Sequence, residues 1–204
     1  MNPGLPQILT CPHCGKKKEV MSLISGNTCG AEYWSDNKQI APMLPEISYV
    51  QKCPHCGKYY IKARQKVEYA KEGWCFEKGL LTFPEMKDAY KQLCEEGLQN
   101  EKEEETLRTM LHHAFNDYYY RSNEDKKDIT DEDKSLFHDN ALWLIENLIT
   151  DNLLKAEFYR EIGEMKVAMS LLDSYNADND FLKKIVSAIK KRINNNDCSV
   201  FRIQ

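Results

Sequence analysis

The stretch Cys11-Pro12-His13-Cys14-Gly15 is repeated, residue for residue, as Cys53-Pro54-His55-Cys56-Gly57. Two CxxC turns in one chain supply four thiolates, the number that completes a tetrahedral zinc site. The two residues between each cysteine pair let both sulfurs reach one ion, and the trailing glycine can adopt the positive φ that the turn needs. We therefore predict a structural zinc site whose ligands are Cys11, Cys14, Cys53 and Cys56.

Other chemistry also uses a CxxC pair. Thioredoxin-like oxidoreductases lower a thiol pKa at the start of a helix within a βαβ pattern. Here the motif occurs twice, and strand-like residues follow each copy, at 16–23 and at 58–62. A thiol redox enzyme and four ordinary buried cysteines are therefore the less favoured interpretations. His13 and His55 are expected at the surface, because four thiolates already fill the metal shell.

Composition restricts the cellular setting. The 204 residues suit one or two domains, with 42% hydrophobic and 29% charged residues. The first ten residues lack the basic and apolar regions of a signal peptide, and no apolar run approaches the roughly 20 residues of a membrane span. Eight cysteines fit a reducing compartment, so we expect a cytoplasmic protein without membrane contact. Four cysteines without a CxxC partner are expected to be small apolar fillers: Cys29, Cys75, Cys94 and Cys198.

Charge is distributed unevenly along the chain. Residues 1–65 contain eight basic and four acidic residues, whereas residues 66–204 contain twenty and twenty-eight, which gives +4 and −8 and the total of −4. The basic first part permits nucleic-acid contact, but the acidic whole argues against a general DNA binder.

The segment around and between the cysteine pairs predicts a small β unit. We expect a loose lead-in at 1–10, strands at 20–24 and 47–52, and an extra β-hairpin with its turn at 35–38. The loop at Ser25–Lys38 has two interpretations. It could contact a ligand, with Trp34 as a stacking surface, but polar turns over a small core explain it more simply.

From about Lys66 the pattern becomes helical. The first helix opens at Phe83 with Thr82 as N-cap and Pro84 in the first turn. Further helices are predicted at about 102–120, 131–149, 152–162, 164–174 and 178–194, with a charged loop at 121–128. Thr130 and Asp133 resemble a capping arrangement for the helix at 131–149. The third helix is expected to bury Leu136, Phe137, Leu142 or Trp143, Ile145 and Leu148.

One pair of polar residues invites a metal-site hypothesis that we reject. His113 and Asp117, next to His112, share one helical face, but no third ligand follows at a recognisable spacing. We therefore expect a solvated face.

The two short helices carry a repeat-like pattern. Ala156, Tyr159, Gly163, Ala168 and Leu172 fall where the tetratricopeptide repeat (TPR) places its small, aromatic, glycine, small and bulky residues. The two alanines would let the helices approach closely, and Gly163 would make the corner. This predicts TPR-like helical stacking.

The CPHCG pair around a long insertion, followed by AEFYREIGEMKVAMSLL at Ala156–Leu172, resembles an uncharacterised bacterial zinc-ribbon/TPR-like protein family with two N-terminal CPxCG knuckles. The resemblance implies that the four knuckle cysteines are metal ligands. It implies no catalytic residue.

Together these patterns predict an α+β, mostly α chain. A small N-terminal β zinc ribbon with an inserted hairpin would occupy 1–65, and an all-helical TPR-like domain 66–204. The favoured function is a cytosolic interaction module with structural Zn2+ that binds a protein or peptide and is not an enzyme. The alternative is a nucleic-acid-binding zinc ribbon with a helical regulatory domain, in which Tyr59 or Tyr60 would stack on bases. Its phosphate contacts would be Lys16, Lys17, Lys18, Lys58, Lys62 and Arg64.

Overall fold

The computed structural model describes residues 1–121 and 128–203, and these form an α+β fold of short strands and six helices. The strands are β1 Asn2–Pro3, β2 Gln7–Thr10, β3 Lys17–Val20, β4 Leu23–Ser25, β5 Glu32–Trp34, β6 Gln39–Ile40, β7 Val50–Lys52, β8 Tyr59–Ile61, β9 Val67–Tyr69 and β10 Arg202–Ile203. The helices are α1 Phe83–Glu96, α2 Glu101–Asn116, α3 Asp131–Asn147, α4 Asn152–Glu161, α5 Met165–Ser174 and α6 Asp180–Asn194.

The chain divides into two compact units. Unit 1 comprises Met1–Glu32 and Gln39–Gln99, and unit 2 comprises Tyr33–Lys38 and Asn100–Gln204. This division differs in two places from the predicted one at residue 65. Helix α1 groups with the strands, and the short segment Tyr33–Lys38 groups with the later helices.

The N-terminal residues take part in the main sheet of unit 1. Strand β2 lies in the middle of an antiparallel sheet of order β3-β2-β9. Leu9 of β2 is completely buried and packs with Val20, Tyr60 and Val67. A loose lead-in at 1–10 and a helical start at Lys66 are therefore both wrong, because the apolar side chains of β2 and β9 complete this small core.

Helix α1 belongs to unit 1 because it is bonded to strand β8. The Gln92 amide donates to the carbonyl oxygen of Tyr59 at 2.9 Å, and the Gln92 side-chain oxygen accepts from the Tyr59 N–H at 3.1 Å. The predicted start is confirmed: Thr82 and Glu85 form a capping box in front of the first turn. The buried face consists of Phe83, Met86, Ala89 and Leu93.

The predicted turn at 35–38 is confirmed, and the segment Tyr33–Lys38 that contains it is part of unit 2. Trp34 N–H donates to the Lys38 carbonyl at 2.9 Å, and Asn37 adopts a φ of 63° that asparagine tolerates better than most residues. Ser35 exchanges two hydrogen bonds with the backbone of Phe201, and Tyr33 and Trp34 pair with β10. These long-range bonds fix the segment to the C-terminal strand.

Four of the five described helices of unit 2 begin after a residue whose side chain caps the first turn. Asn100, Thr130, Asp151 and Asn179 each accept a hydrogen bond from a first-turn N–H of α2, α3, α4 and α6. A π-helical turn at Asp117–Arg121 follows α2, and residues 122–127 of the predicted charged loop lie outside the described residues. Among the helices that the structure describes, none has the length and apolarity to cross a membrane.

The buried face of α3 differs from the predicted one. Phe137, Ala141, Leu144 and Ile145 are buried, whereas Leu148 is 39% exposed. The face also contains Asn140, whose amide donates to the carbonyl of α2 residue Arg108 at 3.0 Å. The spacing of apolar residues alone cannot predict a buried helix face that includes a hydrogen-bonded asparagine.

The last three helices of unit 2 share one core. Ala156 of α4 and Ala168 of α5 have no solvent exposure, and they pack with Leu172 and with Ile189 of α6. Gly163 connects α4 to α5 with a φ of 86°, a conformation that favours glycine.

Candidate metal centre

Each cysteine pair lies in the turn of a β-hairpin. Strands β2 and β3 pair up to Thr10 and Lys17, and strands β7 and β8 pair up to Lys52 and Tyr59. The two turns have the same backbone bonds, because the N–H of each glycine donates to the carbonyl of the first cysteine at 2.9 Å. Gly15 and Gly57 have φ values of 71° and 74°. The repeated sequence therefore builds the same turn twice, as the glycine argument predicts.

The two turns bring all four sulfurs together. The Sγ atoms of Cys11, Cys14, Cys53 and Cys56 lie within 4.8 Å of one another. The separations are 3.7 Å between Cys11 and Cys56 and 3.6 Å between Cys14 and Cys53. A tetrahedral ion with Zn–S bonds of about 2.3 Å separates its sulfurs by about 3.8 Å, whereas a disulfide needs about 2.05 Å. The cluster thus has the spacing of a tetrathiolate metal site and is consistent with zinc.

The thiols of this cluster differ in how readily they ionise. Burial raises the pKa of Cys11 to about 12. Burial also opposes ionisation of Cys53, but hydrogen bonds from the backbone N–H groups of Cys56 and His55 outweigh it and lower the pKa of Cys53 to about 6. Metal ligation requires thiolates, and a bound divalent cation favours the ionised form of every sulfur that it contacts. The donor set therefore fits a soft or borderline cation such as Zn2+.

The two histidines of the turns stand outside the sulfur cluster. His13 and His55 are exposed, and His13 Nε2 donates to the Tyr59 carbonyl at 3.1 Å. Four sulfurs already provide a full tetrahedral shell, so no histidine nitrogen is needed.

The remaining cysteines do not all behave as predicted. Cys29 and Cys94 are exposed, so the prediction that they are buried apolar fillers is wrong. Cys75 and Cys198 are half-buried.

Both CxxC turns lie in β-hairpins and not at the start of a helix. A helix N-terminus lowers the pKa of a redox-active thiol, so its absence from both turns disfavours the thiol-exchange interpretation.

The residues predicted to contact nucleic acid are less accessible to a ligand than the sequence suggests. Tyr59 and Tyr60 are 6% and 2% exposed, so neither ring offers a face for base stacking. Lys17 forms an ion pair with Glu68 at 2.6 Å, and Lys18 donates to Gln51 at 3.2 Å. The predicted stacking role of the two tyrosines is wrong, because their rings form part of the unit 1 core.

Unit 2 contains a buried polar network that the sequence analysis missed. His112 has no solvent exposure, and its Nε2 lies 2.9 Å from Glu161 Oε2. His113 donates to the Asp36 carbonyl at 3.2 Å, and Asp117 accepts from Arg121 at 2.6 Å. The expected solvated face is therefore wrong for His113, which is half-buried and hydrogen-bonded, whereas the Asp117 side chain is 42% exposed.

The Asp36 carboxylate is the anionic centre of this network. It is 1% exposed, pairs with the Arg121 guanidinium and accepts a hydrogen bond from Asn116 at 3.0 Å. Although burial opposes ionisation, the Arg121 hydrogen bond holds the pKa of Asp36 well below its usual range. One feature of the sequence could have indicated this network: His112 and Asn116 are four residues apart on one face of α2, next to its buried positions.

Comparisons of the chain with protein-family models, with curated proteins and with solved structures give no match.

Proposed function

We propose that this protein is a zinc-stabilised interaction module whose helical unit binds a protein or peptide. The zinc-stabilised part of this proposal is supported by the four cysteine sulfurs, which lie within 4.8 Å of one another and would supply all four ligands of a tetrahedral ion. Catalytic zinc keeps one position for water or substrate, whereas structural zinc does not. The proposed metal therefore holds two hairpins together and takes no part in a reaction.

The arrangement of α4, α5 and α6 supports a TPR-like surface. In such repeats the second helix packs back on the first, and the first helix of the next repeat packs on both. Here α5 contacts α4, and α6 contacts both of them. Two further features support this packing: Ala156 and Ala168 are buried small residues, and Gly163 makes the corner between α4 and α5. Stacked helical pairs of this kind offer extended surfaces to protein partners.

The proposal includes membership in the bacterial zinc-ribbon/TPR-like family that the sequence resembles, a cytoplasmic location and the absence of enzymatic activity. The clustered thiols of four of the eight cysteines support the location, because the cytosol keeps thiols reduced and available to a metal. The filled sulfur shell supports the non-catalytic role of the metal.

The experiment is affinity capture from the native host with three tagged proteins: wild type, Ala156→Leu and Val167→Leu. Ala156 is completely buried between α4 and α5, whereas Val167 of α5 is 40% exposed. We expect wild type and Val167→Leu to enrich the same protein, and Ala156→Leu to enrich less of it. Retention of that protein at high salt would exclude phosphate-mediated capture. Enrichment of RNA alone, lost steeply with salt, would contradict the proposal and favour the nucleic-acid alternative.

A further inference from the structure

Two adjoining hollows lie along helix α4 in unit 2, with volumes of about 350 Å³ and about 280 Å³. Helices α2 and α3 contribute to the wall of the first hollow, and helix α6 with strands β5 and β10 to the wall of the second. Both hollows are lined by Asn37, Asp151 and Leu154, so they are two parts of one surface. We term this surface the α4 groove.

The α4 groove offers accessible apolar side chains in both hollows. In the first hollow Leu148 is 39% exposed, and Leu154, which lines both hollows, is half-buried. In the second hollow Trp34, Ile185 and Ile203 are half-buried. Peptides commonly bind by placing apolar anchors into a groove of this kind. A partner can reach these side chains without opening the buried core.

The charged groups of the α4 groove all have the same sign. Its lining, in the part of the chain that the structure describes, includes the carboxylates of Asp36, Asp151 and Glu157 and no lysine or arginine. Asp36 pairs with Arg121, and Glu157 pairs with Arg160. These two carboxylates are buried, whereas Asp151 is exposed. Asp151 is therefore the charge that a partner can contact.

The surroundings of Asp151 are negatively charged. Its Oδ1 accepts a hydrogen bond from the N–H of Leu154 at 2.9 Å and thereby caps α4, and within 1–121 and 128–203 it forms no ion pair. Burial and the negative charges of Asp151 and Asp178 raise the pKa of Tyr175. The partial positive charge at the start of α4 therefore does not cancel the carboxylate. A cation is the complementary group at the point where the two hollows meet.

We propose that the α4 groove binds a peptide segment in which a lysine or arginine stands between apolar side chains, with the cation beside Asp151 and an apolar side chain in each hollow. This inference rests on the proposed interaction function and names its surface and the chemistry of its partner. The cation can stay partly hydrated because Asp151 is exposed, so no charge has to be buried. An acidic segment would bring like charges together and is disfavoured.

The test uses two matched peptides as probes. One is acetyl-Leu-Leu-Lys-Leu-Leu-amide, and the other carries Nε-acetyl-lysine at the centre, which keeps the apolar stem and removes the charge. Both are titrated into the full-length protein labelled with ¹⁵N, and the backbone amide signals are followed by NMR. We expect the lysine peptide to bind about 2- to 5-fold more tightly at low salt, the ratio for one partly exposed ion pair. The ratio should approach 1 at about 1 M salt, where such a pair is screened. The amide signals of Leu148, Leu154 and Ile185 should shift.

Three variants assign the binding to the groove. Asp151→Asn removes the charge and keeps a capping side chain, so it should bind the two peptides equally. Leu148→Trp should occupy the first hollow and weaken both peptides at least about 3-fold, by the loss of one apolar anchor. Val167→Trp, at an exposed position of α5 outside both linings, should leave both affinities unchanged.

Several outcomes would overturn the proposal. They are no binding of either peptide, equal affinities for wild type at low salt, a retained preference in Asp151→Asn, or wild-type binding by Leu148→Trp. The capture experiment described above tests the interaction function separately. A host protein enriched by wild type together with any of these outcomes would overturn the α4 groove and leave the interaction function in place.

Discussion

Arg160 of α4 allows the energetics of unit 2 to be tested quantitatively. Its side chain has no solvent exposure, and it forms a two-point ion pair with Glu157, with Nε–Oε2 at 2.9 Å and Nη2–Oε1 at 2.5 Å. The same guanidinium donates to the carbonyls of Asp197 and Ser199. Arg160 thereby bonds α4 to the C-terminal segment.

The variant Arg160→Met keeps the apolar stem and removes the charge. It leaves the Glu157 carboxylate, 1% exposed, without its partner and two carbonyls without a donor. Breaking a buried ion pair from one side costs about 3–5 kcal/mol. We therefore expect the free energy of unfolding of unit 2 to fall by about that amount. The double variant Glu157→Leu/Arg160→Met removes both charges and should recover at least about 1 kcal/mol of the loss.

Arg192 supplies a matched control. It pairs with Asp197 and lies over the Phe201 ring at 4.4 Å, but its side chain is 31% exposed. A partly exposed ion pair contributes about 0–1 kcal/mol and the contact with the Phe201 ring about 0.5–1 kcal/mol, so Arg192→Met should cost at most about 2 kcal/mol. The measurement is urea unfolding followed by far-ultraviolet circular dichroism, to which the helices of unit 2 contribute most. If Arg160→Met and Arg192→Met were equally destabilising, the assigned role of the buried pair would be refuted.

Three further predictions concern packing, pH and nucleic acid. Ala156→Leu should overpack the α4–α5 contact and lower the free energy of unfolding by about 1–3 kcal/mol. Amide hydrogen exchange should then accelerate across α4, α5 and α6, and unchanged protection there would exclude the TPR-like packing. Burial lowers the pKa of His112 and His113 from 6.5 to about 4, so between these values the unfolded chain takes up protons at two histidines that stay neutral in the folded chain. Burial raises the pKa of Glu161, which acts in the opposite direction. The free energy of unfolding should therefore fall as the pH drops from 6.5 towards 4, and Glu161→Gln should make the fall steeper because it removes the opposing group. Urea titrations with no pH dependence in this range would disprove these ionisation states. Mixed RNA and single-stranded DNA oligonucleotides should not bind in low-salt gel-shift assays, because Tyr59 and Tyr60 are buried and cannot stack on bases. Tight binding would favour the nucleic-acid-binding function instead.

The sequence predicts those features that depend on local chemistry. The caps at Thr82 and Thr130 locate helix starts to the residue, because a capping side chain bonds only to the next few N–H groups. The CPHCG repeat also predicts the sulfur cluster. The CxxC spacing brings two sulfurs together within each turn, and the two turns supply the four ligands of a tetrahedral site.

Features that depend on distant partners could not be predicted. Asp36 has the appearance of a solvated turn residue until Arg121, 85 positions later, pairs with it. Strand β2 has only four residues, and its burial depends on β3 and on β9, which begins at Val67. His112 was assigned no buried role because periodicity assigns polar residues to the exposed face, whereas here an aromatic stack and Glu161 bury it.

The central claim is that one metal ion holds the two cysteine hairpins together, and native mass spectrometry combined with elemental analysis tests it most directly. Protein purified under reducing conditions should contain one zinc per chain. Cys53→Ser should lose the metal and the hydrogen-exchange protection of strands β2, β3, β7 and β8, because structural zinc contributes about 10–16 kcal/mol to such a unit. Cys29→Ser, at an exposed cysteine outside the cluster, should retain both. A metal-free wild type with fully protected hairpins, or a wild type that contains a Cys11–Cys14 disulfide after reduction, would contradict the claim.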